Sequence, residues 1–209
     1  MSPLPERMAD HWWRRPGRRQ YVWHVLFDNQ PAAREAVREV QNRMAGLAGF
    51  DLVPGPWLHM TTRIVGFADE ISGAEASDLV TTAADGLSGL APVQVSFSRI
   101  GFHPEAVVLV AQPVPSLLPI RRAVCDATRQ VLGPERAGGD EEWIPHVTAA
   151  YSNADTPASP VIDAAGRTVP ARDATVSRVD LVIQERCGHS YRWEKVAAAR
   201  LGGIASRGE

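Results

Sequence analysis

The apolar residues of this chain fall into two periods. In "YVWHVLF" (21–27) Tyr21, Trp23, Val25 and Phe27 alternate, and the β-branched and aromatic content predicts a strand. From Pro31 the spacing becomes three and four. Val37, Val40, Met44 and Leu47 share one face of a helix that Pro31 opens. "WLHMTTRIVGF" (57–67) returns to a strand, taken as 57–66. Ser72 and Glu75 have the form of a capping box, and Leu79, Val80, Ala83 and Leu87 continue the helix it starts. "VQVSFSRIGF" (93–102) and "AVVLVAQ" (106–112) form a hairpin around "HPE". Leu117, Ile120, Val124 and Val131 mark a third helix, stopped at Gly133-Pro134. "ERAGGDEE" (135–142) reads as a loop and "WIPHVTAAYS" (143–152) as a strand. Residues 153–174, rich in Ala, Pro, Asp and Thr, read as a long loop. "TVSRVDLVIQE" (175–185) and "YRWEKVAAARL" (191–201) form a closing hairpin, and 202–209 read as a frayed tail.

A repeat runs through this order. His146-Val-Thr148 follows His59-Met-Thr61 by 87 residues. The same shift carries the strand 21–27 close to 106–112, the first helix to the third, and the strand 93–102 over the strand predicted at 175–185. Strand, helix, His-x-Thr strand, connection and strand therefore occur twice, with a helix as the first connection and a loop as the second. Residue identity between the copies is poor, so the repeat is one of pattern. It predicts an α+β chain in two pseudo-symmetric halves whose His-x-Thr strands face each other across a cleft.

Composition narrows the class. The chain has 209 residues, 44% hydrophobic and 22% charged, which suits one globular domain over 20–201. A net charge of −2 gives no overall nucleic-acid footprint. The Pro- and Arg-rich arm 1–19 is expected to pack through Trp12 and Trp13. Its Arg14, Arg15, Arg18 and Arg19 offer either a polyanion contact or a solvated lead-in. No apolar run is long enough to span a membrane and no signal-peptide core is visible. Cys125 and Cys187 have no CxxC spacing and read as free thiols, which places the chain in the cytoplasm.

The candidate chemistry lies in the two His-x-Thr strands. On strict alternation His59, Thr61 and Arg63 share one face. Two facing imidazoles suit acid–base catalysis, one neutral and one charged near neutral pH. Hydroxyls two residues on could grip the non-bridging oxygens of a phosphate between them. This describes metal-free phosphodiester chemistry. One histidine deprotonates a water or hydroxyl, the other protonates the leaving oxygen, and Thr and Arg donors stabilise the charge. Arg63 fits a phosphate or a surface acid equally well. Trp57 and Tyr151 read as core. His24, His103 and His189 read as surface or internally satisfied polar residues. Tyr191 fits base stacking or packing. Two other classes share these residues: a module that grips RNA ends or nucleotides without turnover, and a metal hydrolase drawing on the acids of "GGDEE". Neither motif carries a carboxylate at ligand spacing, which disfavours the metal reading.

The motifs "WLHMTTRIVGF" and "IPHVTAAYS" resemble those of the 2H phosphoesterase superfamily, within it the bacterial 2′-5′ RNA ligase or RNA 2′,3′-cyclic phosphodiesterase branch. The resemblance covers 20–201 in element order and is sequence-specific only at the motifs. It implies two lobes of antiparallel sheet with helices outside and the histidines in the groove between. It implies chemistry with no cofactor or metal on 2′,3′-cyclic or 2′-5′ phosphate linkages of RNA or nucleotides; the chain itself is expected to be a monomer. Carried over by position, His59 and His146 would be the acid–base pair, Thr61 and Thr148 the phosphate-binding hydroxyls, and Arg63 a basic position common in the branch. Thr62 stands where that family usually has an apolar residue, which would loosen the packing behind the motif.

Overall fold

The structure is a computed structural model, described for residues 4–13, 17–137 and 143–202. Its elements run β1 (Arg7–Met8), β2 (Gln20–Leu26), α1 (Pro31–Arg43), β3 (Phe50–Leu52), β4 (His59–Phe67) and α2 (Gly73–Leu87). There follow β5 (Val93–His103), β6 (Ala106–Gln112), α3 (Val114–Leu132), α4 (Pro134–Ala137), β7 (His146–Ser152) and β8 (Thr156–Pro157). The chain closes with α5 (Ser159–Ala165), β9 (Thr168–Val176), β10 (Arg178–Arg186) and β11 (Tyr191–Arg200).

Two antiparallel sheets carry the fold. One has the order β11-β10-β2-β4, the other β3-β7-β6-β5-β9. The repeat is visible in both: β10-β2-β4 corresponds to β5-β6-β7. The halves are interleaved, because β5 of the first copy adds to the second sheet and β10 of the second copy adds to the first. The helices are exchanged in the same way. α2 and α3 pack together over β4 and β11, while α1 covers β9 and β7, with α5 against α1. One apolar core runs beneath both sheets, with Trp23 from β2, Phe27 just beyond its end, Leu109 from β6, Val147 from β7 and Leu79 from α2 among its members. Neither copy can close its own core, so the two lobes form together.

The helices follow their apolar spacing. α1 buries Ala33, Ala36, Val37 and Val40. It ends sooner than predicted: Met44 is its C-cap, Gly46 takes a positive φ of 87°, and Leu47 lies beyond the helix while still packing on the core. The capping box of α2 is formed, with the Glu75 N–H donating to Ser72 Oγ (3.2 Å) and the Ser72 N–H to Glu75 Oε2 (2.8 Å). Leu79 at its centre is fully buried. Leu79→Ala should destabilise the fold by about 2–5 kcal/mol through the lost contacts and the cavity left behind. Thermal unfolding checks this, at roughly 2–4 °C per kcal/mol; an unchanged Tm would contradict the packing.

Several predicted stretches differ. The 153–174 "loop" contains β8, α5 and most of β9, so the second connection carries a helix too, in the place of α2. Its apolar content is mostly Ala and a few Val, and the burial of Val161, Ala165, Val169 and Ala174 supplies the helix and strand with their packing faces. The run 175–185 is two strands, because the chain changes sheet at Ser177 between β9 and β10. α4 occupies the start of the 135–142 loop; residues 138–142 lie outside the described part. In the arm, Trp12 is buried and Trp13 is 71% exposed. His11 stacks on Tyr151 and lies 3.0 Å from Glu105 and 2.9 Å from the Tyr191 hydroxyl, which assigns Tyr191 to packing. Arg18 pairs with Asp69 and Glu70, and Arg19 with Glu194, so neither stands as a bare cation for a polyanion. Arg14 and Arg15 lie outside the described residues.

Candidate active site

β4 and β7, the two His-x-Thr strands, are edge-side strands of facing lobes and lie against each other. His59 and His146 begin them. Each ring is held in the same way: Nδ1 of His59 is 2.9 Å from the Trp57 carbonyl, and Nδ1 of His146 is 2.7 Å from the Ile144 carbonyl. A carbonyl only accepts, so Nδ1 carries the proton in both neutral rings. The tautomer is thereby fixed, and Nε2 is left with its lone pair for a ligand. The local cause differs between the copies. Trp57 closes a single 3₁₀ turn, Gly55–Trp57, whereas Ile144 belongs to the loop 143–145. The strands therefore start at the histidines, two or three residues later than predicted. The Trp143 indole N–H donates to the Thr61 carbonyl (2.9 Å), tying the lead-in of one motif to the strand of the other.

A β-bulge sits immediately after each threonine. In β4, Thr61 opposes His24 and Arg63 opposes Trp23, so Thr62 is the extra residue. In β7, Thr148 opposes Val108 and Ala150 opposes Val107, so Ala149 is the extra residue. A bulge breaks the two-residue alternation. Arg63 consequently falls in register with Trp23, on the core side, as its counterpart Ala150 does with buried Val107. Of the three residues expected in a row, the strand register keeps His59 and Thr61 together and takes Arg63 out. Thr62 is buried with its hydroxyl donated to the Trp23 carbonyl (2.9 Å), so the polar residue at this position has a partner rather than loosening the core.

The groove face of the first sheet holds Val22, His24 and Leu26 of β2, Val182 of β10, and Trp193 of β11. Two of these were not expected in the site. His24, read from sequence as a surface or satisfied histidine, is wholly buried, with its ring centroid 4.3 Å from that of His59. Trp193 stands edge-on to His59 at 4.9 Å and to Trp57 at 4.9 Å. Trp57 thus packs partly on the core, as expected, and partly on this aromatic wall. Alternation in β2, with Tyr21, Trp23, Val25 and Phe27 all inward, was the available signal that His24 faces the other way. Nothing in the local sequence of β11 marks Trp193. His189 lies elsewhere, 3.1 Å from Asp51 and stacked on Trp12.

Burial pushes the pKa of both motif histidines down, His59 to about 4. A smaller like-charge effect adds to this, from His146 on His59 and from His103 on His146. The carbonyl bonds oppose it. Desolvation acts on both rings, so burial favours the neutral form of each rather than splitting the pair into one charged and one neutral ring. A stability effect follows for His59. The unfolded ring takes up its proton near pH 6.5, the folded ring near 4. Above 6.5 both are neutral and the difference contributes nothing. As pH falls from 6.5 to 4 only the unfolded state gains the proton, so stability is lost, by up to about 3 kcal/mol. His59→Gln should flatten this part of the acid-unfolding curve; an unchanged slope between pH 6.5 and 4 would contradict it.

Among the described residues, no group of three or more His, Cys, Asp or Glu side chains could hold a metal ion, and no helix is long and apolar enough to cross a membrane. Both cysteines are free.

No curated protein matches the chain. Among solved structures it is similar to TT0787 of Thermus thermophilus, at 20% identity and a TM-score of 0.71 over 88% of this chain and 99% of that one. It is similar to E. coli LigT complexed with 3′-AMP, at 15% identity and a TM-score of 0.61 over 89% and 99%. It is also similar to the MHV ns2 PDE domain, at 12% identity and a TM-score of 0.53 over 86% and 99%. At these identities the likeness speaks for the fold, which is the α+β fold of LigT and TT0787. The model of the 2′-5′ RNA ligase superfamily matches residues 28–187, the span that holds both His-x-Thr strands. By that match the chain belongs to the 2′-5′ RNA ligase superfamily, the 2H phosphoesterases, and membership supports a phosphoesterase-type function.

Proposed function

We propose that the protein is a metal-independent phosphoesterase of 2′,3′-cyclic phosphate or 2′-5′ phosphodiester linkages in RNA or nucleotides. The observation that carries this reading is the matched pair of histidines, each with Nδ1–H tied to the carbonyl two residues earlier and Nε2 left available. In opening a cyclic phosphate, one Nε2 takes a proton from water as its oxygen bonds to phosphorus. The other Nε2–H gives a proton to the departing ribose oxygen, leaving a phosphomonoester. His59 is the more deeply buried ring and its pKa lies at about 4, which suits it as the base. His146 is partly exposed and suits the acid. Run in the same direction with a ribose 5′-hydroxyl in place of water, the same pair would form its bond to phosphorus, release the 3′ oxygen of the ring with the proton from the acid, and so join a 2′-5′ linkage.

Thr61 and Thr148, two residues along each strand, are the hydroxyls that would hold the phosphate oxygens. Arg63, set across from Trp23 by the bulge, is a less direct candidate for this role than the two hydroxyls. The aromatic wall of Trp193 and Trp57 beside His59 offers a flat surface to a nucleobase. LigT complexes with 3′-AMP, ATP and NADP+ support a nucleotide as ligand. A panel of 2′,3′-cyclic nucleotides, cyclic-ended RNA and 2′-5′ dinucleotides, with product identification, tests the reading. At least one class should be converted, and Thr148→Val should raise its KM by about tenfold, the loss of one hydrogen bond to a charged group. Conversion of none would sink the proposal.

A further inference from the structure

The two halves of the site differ at one position. In the second lobe Val108 stands across from Thr148; in the first, the equivalent place across from Thr61 is held by His24. A buried imidazole is costly to keep without partners, and this one has a side-chain partner at each nitrogen. Its Nε2 lies 2.8 Å from Gln184 Oε1 and its Nδ1 3.3 Å from Thr61 Oγ1. The amide oxygen only accepts, so the ring proton sits on Nε2 and the bare Nδ1 accepts from the Thr61 hydroxyl. Gln184 on β10 thus orients His24 on β2, which orients Thr61 on β4, a chain across three neighbouring strands. The Thr148 hydroxyl has no hydrogen-bond partner among the described residues. One lobe therefore presents a hydroxyl of preset direction, the other a hydroxyl free to rotate.

We propose that His24 is a positioning residue that acts through Thr61, setting the place and direction of that hydroxyl beside His59. This rests on the reading of the groove as a phosphoesterase site. It explains why a histidine occupies a position that its counterpart fills with valine. It also makes the two threonines unequal: Thr61 is ordered before the substrate arrives, and its contribution is lost when His24 is removed. His24 is in ring contact with His59 as well, so a purely structural role, packing against the base, is the competing explanation.

The test is a double-mutant cycle on the full chain with His24→Val, Thr61→Val and the pair, together with His24→Asn, whose amide can reach Thr61 as Nδ1 does. His24→Val should lower kcat/KM by about tenfold, the effect of one lost polar contact. The same change made on Thr61→Val should cost less than about twofold. His24→Asn should restore most of the loss. Equal losses with and without Thr61, or no rescue by asparagine, would overturn the proposal in favour of packing. Binding of inorganic phosphate, which needs the hydroxyls but not the reaction, is measured by calorimetry on the same proteins. In addition, the His24 Nδ1 resonance should move towards its unbonded position in Thr61→Val and stay in place in Thr148→Val. Coupling seen in binding and in the resonance, without turnover of any substrate, would overturn the reading of function and leave the His24–Thr61 link standing. A resonance unmoved by Thr61→Val overturns the link whatever the turnover.

Discussion

Replacing His59 or His146 by alanine is expected to lower kcat by about 10²–10⁴-fold each, the usual contribution of a positioned general acid or base. The two nitrogens act on one event from opposite sides of the phosphate. The double variant should therefore fall little further than the worse single variant, since the groups work as a unit. Both side chains lie on the groove side of their strands rather than in the main core. The variants should accordingly keep a thermal transition within a few degrees of the parent, and Thr61→Val should not reproduce their loss. Steady-state rates on whichever cyclic or 2′-5′ substrate is converted supply the measurement. Full activity in either alanine variant would contradict the assignment.

The second large effect is on pH dependence. The reaction needs one ring protonated and the other neutral. Burial holds both below their ordinary value, His59 at about 4 and His146 also lowered. The profile of kcat/KM reports the free enzyme, so its maximum should lie on the acid side of pH 6.5. Above the acid's pKa it should fall about tenfold per pH unit, because the protonated acid becomes scarce. Bound substrate changes this. A phosphate anion between the rings favours the charged imidazole and raises the pKa of the acid. The alkaline limb of the kcat profile should therefore lie at higher pH than that of kcat/KM. Rates from pH 4 to 9 separate the two profiles. A kcat/KM that rises from pH 6 to 8 would show that the free rings titrate elsewhere.

Much of this was legible in the chain itself. The His-x-Thr strands, the repeat that pairs them, the capping box at Ser72 and the three long helices follow from period and spacing, which are local properties. What was hidden depends on partners distant in sequence. The bulges at Thr62 and Ala149 arise from pairing with β2 and β6, so strict alternation placed Arg63 in a row it does not keep. The exchange of β5 and β10 between the sheets is a matter of topology, and no residue pattern marks it. His24 was visible on the face opposite Trp23. That this face is the wall of the groove became clear only once β2 was seen between β4 and β10. Trp193 reaches His59 because β11 returns beside β10, far along the chain from the first motif. The elements in 153–174 were missed because short alanine-rich segments with two or three apolar contacts acquire their structure from the sheet they pack on.

The two-histidine, metal-free mechanism meets its most direct test in one assay. A 2′,3′-cyclic nucleotide is incubated with the protein in excess EDTA, the phosphorus product is followed by 31P NMR, and the His59→Ala and His146→Ala variants run in parallel. The mechanism predicts conversion to a phosphomonoester at an undiminished rate for the parent and a rate lower by about 10²–10⁴-fold for either variant. Conversion that stops in EDTA, or that runs at the parent rate when either histidine is gone, would contradict it.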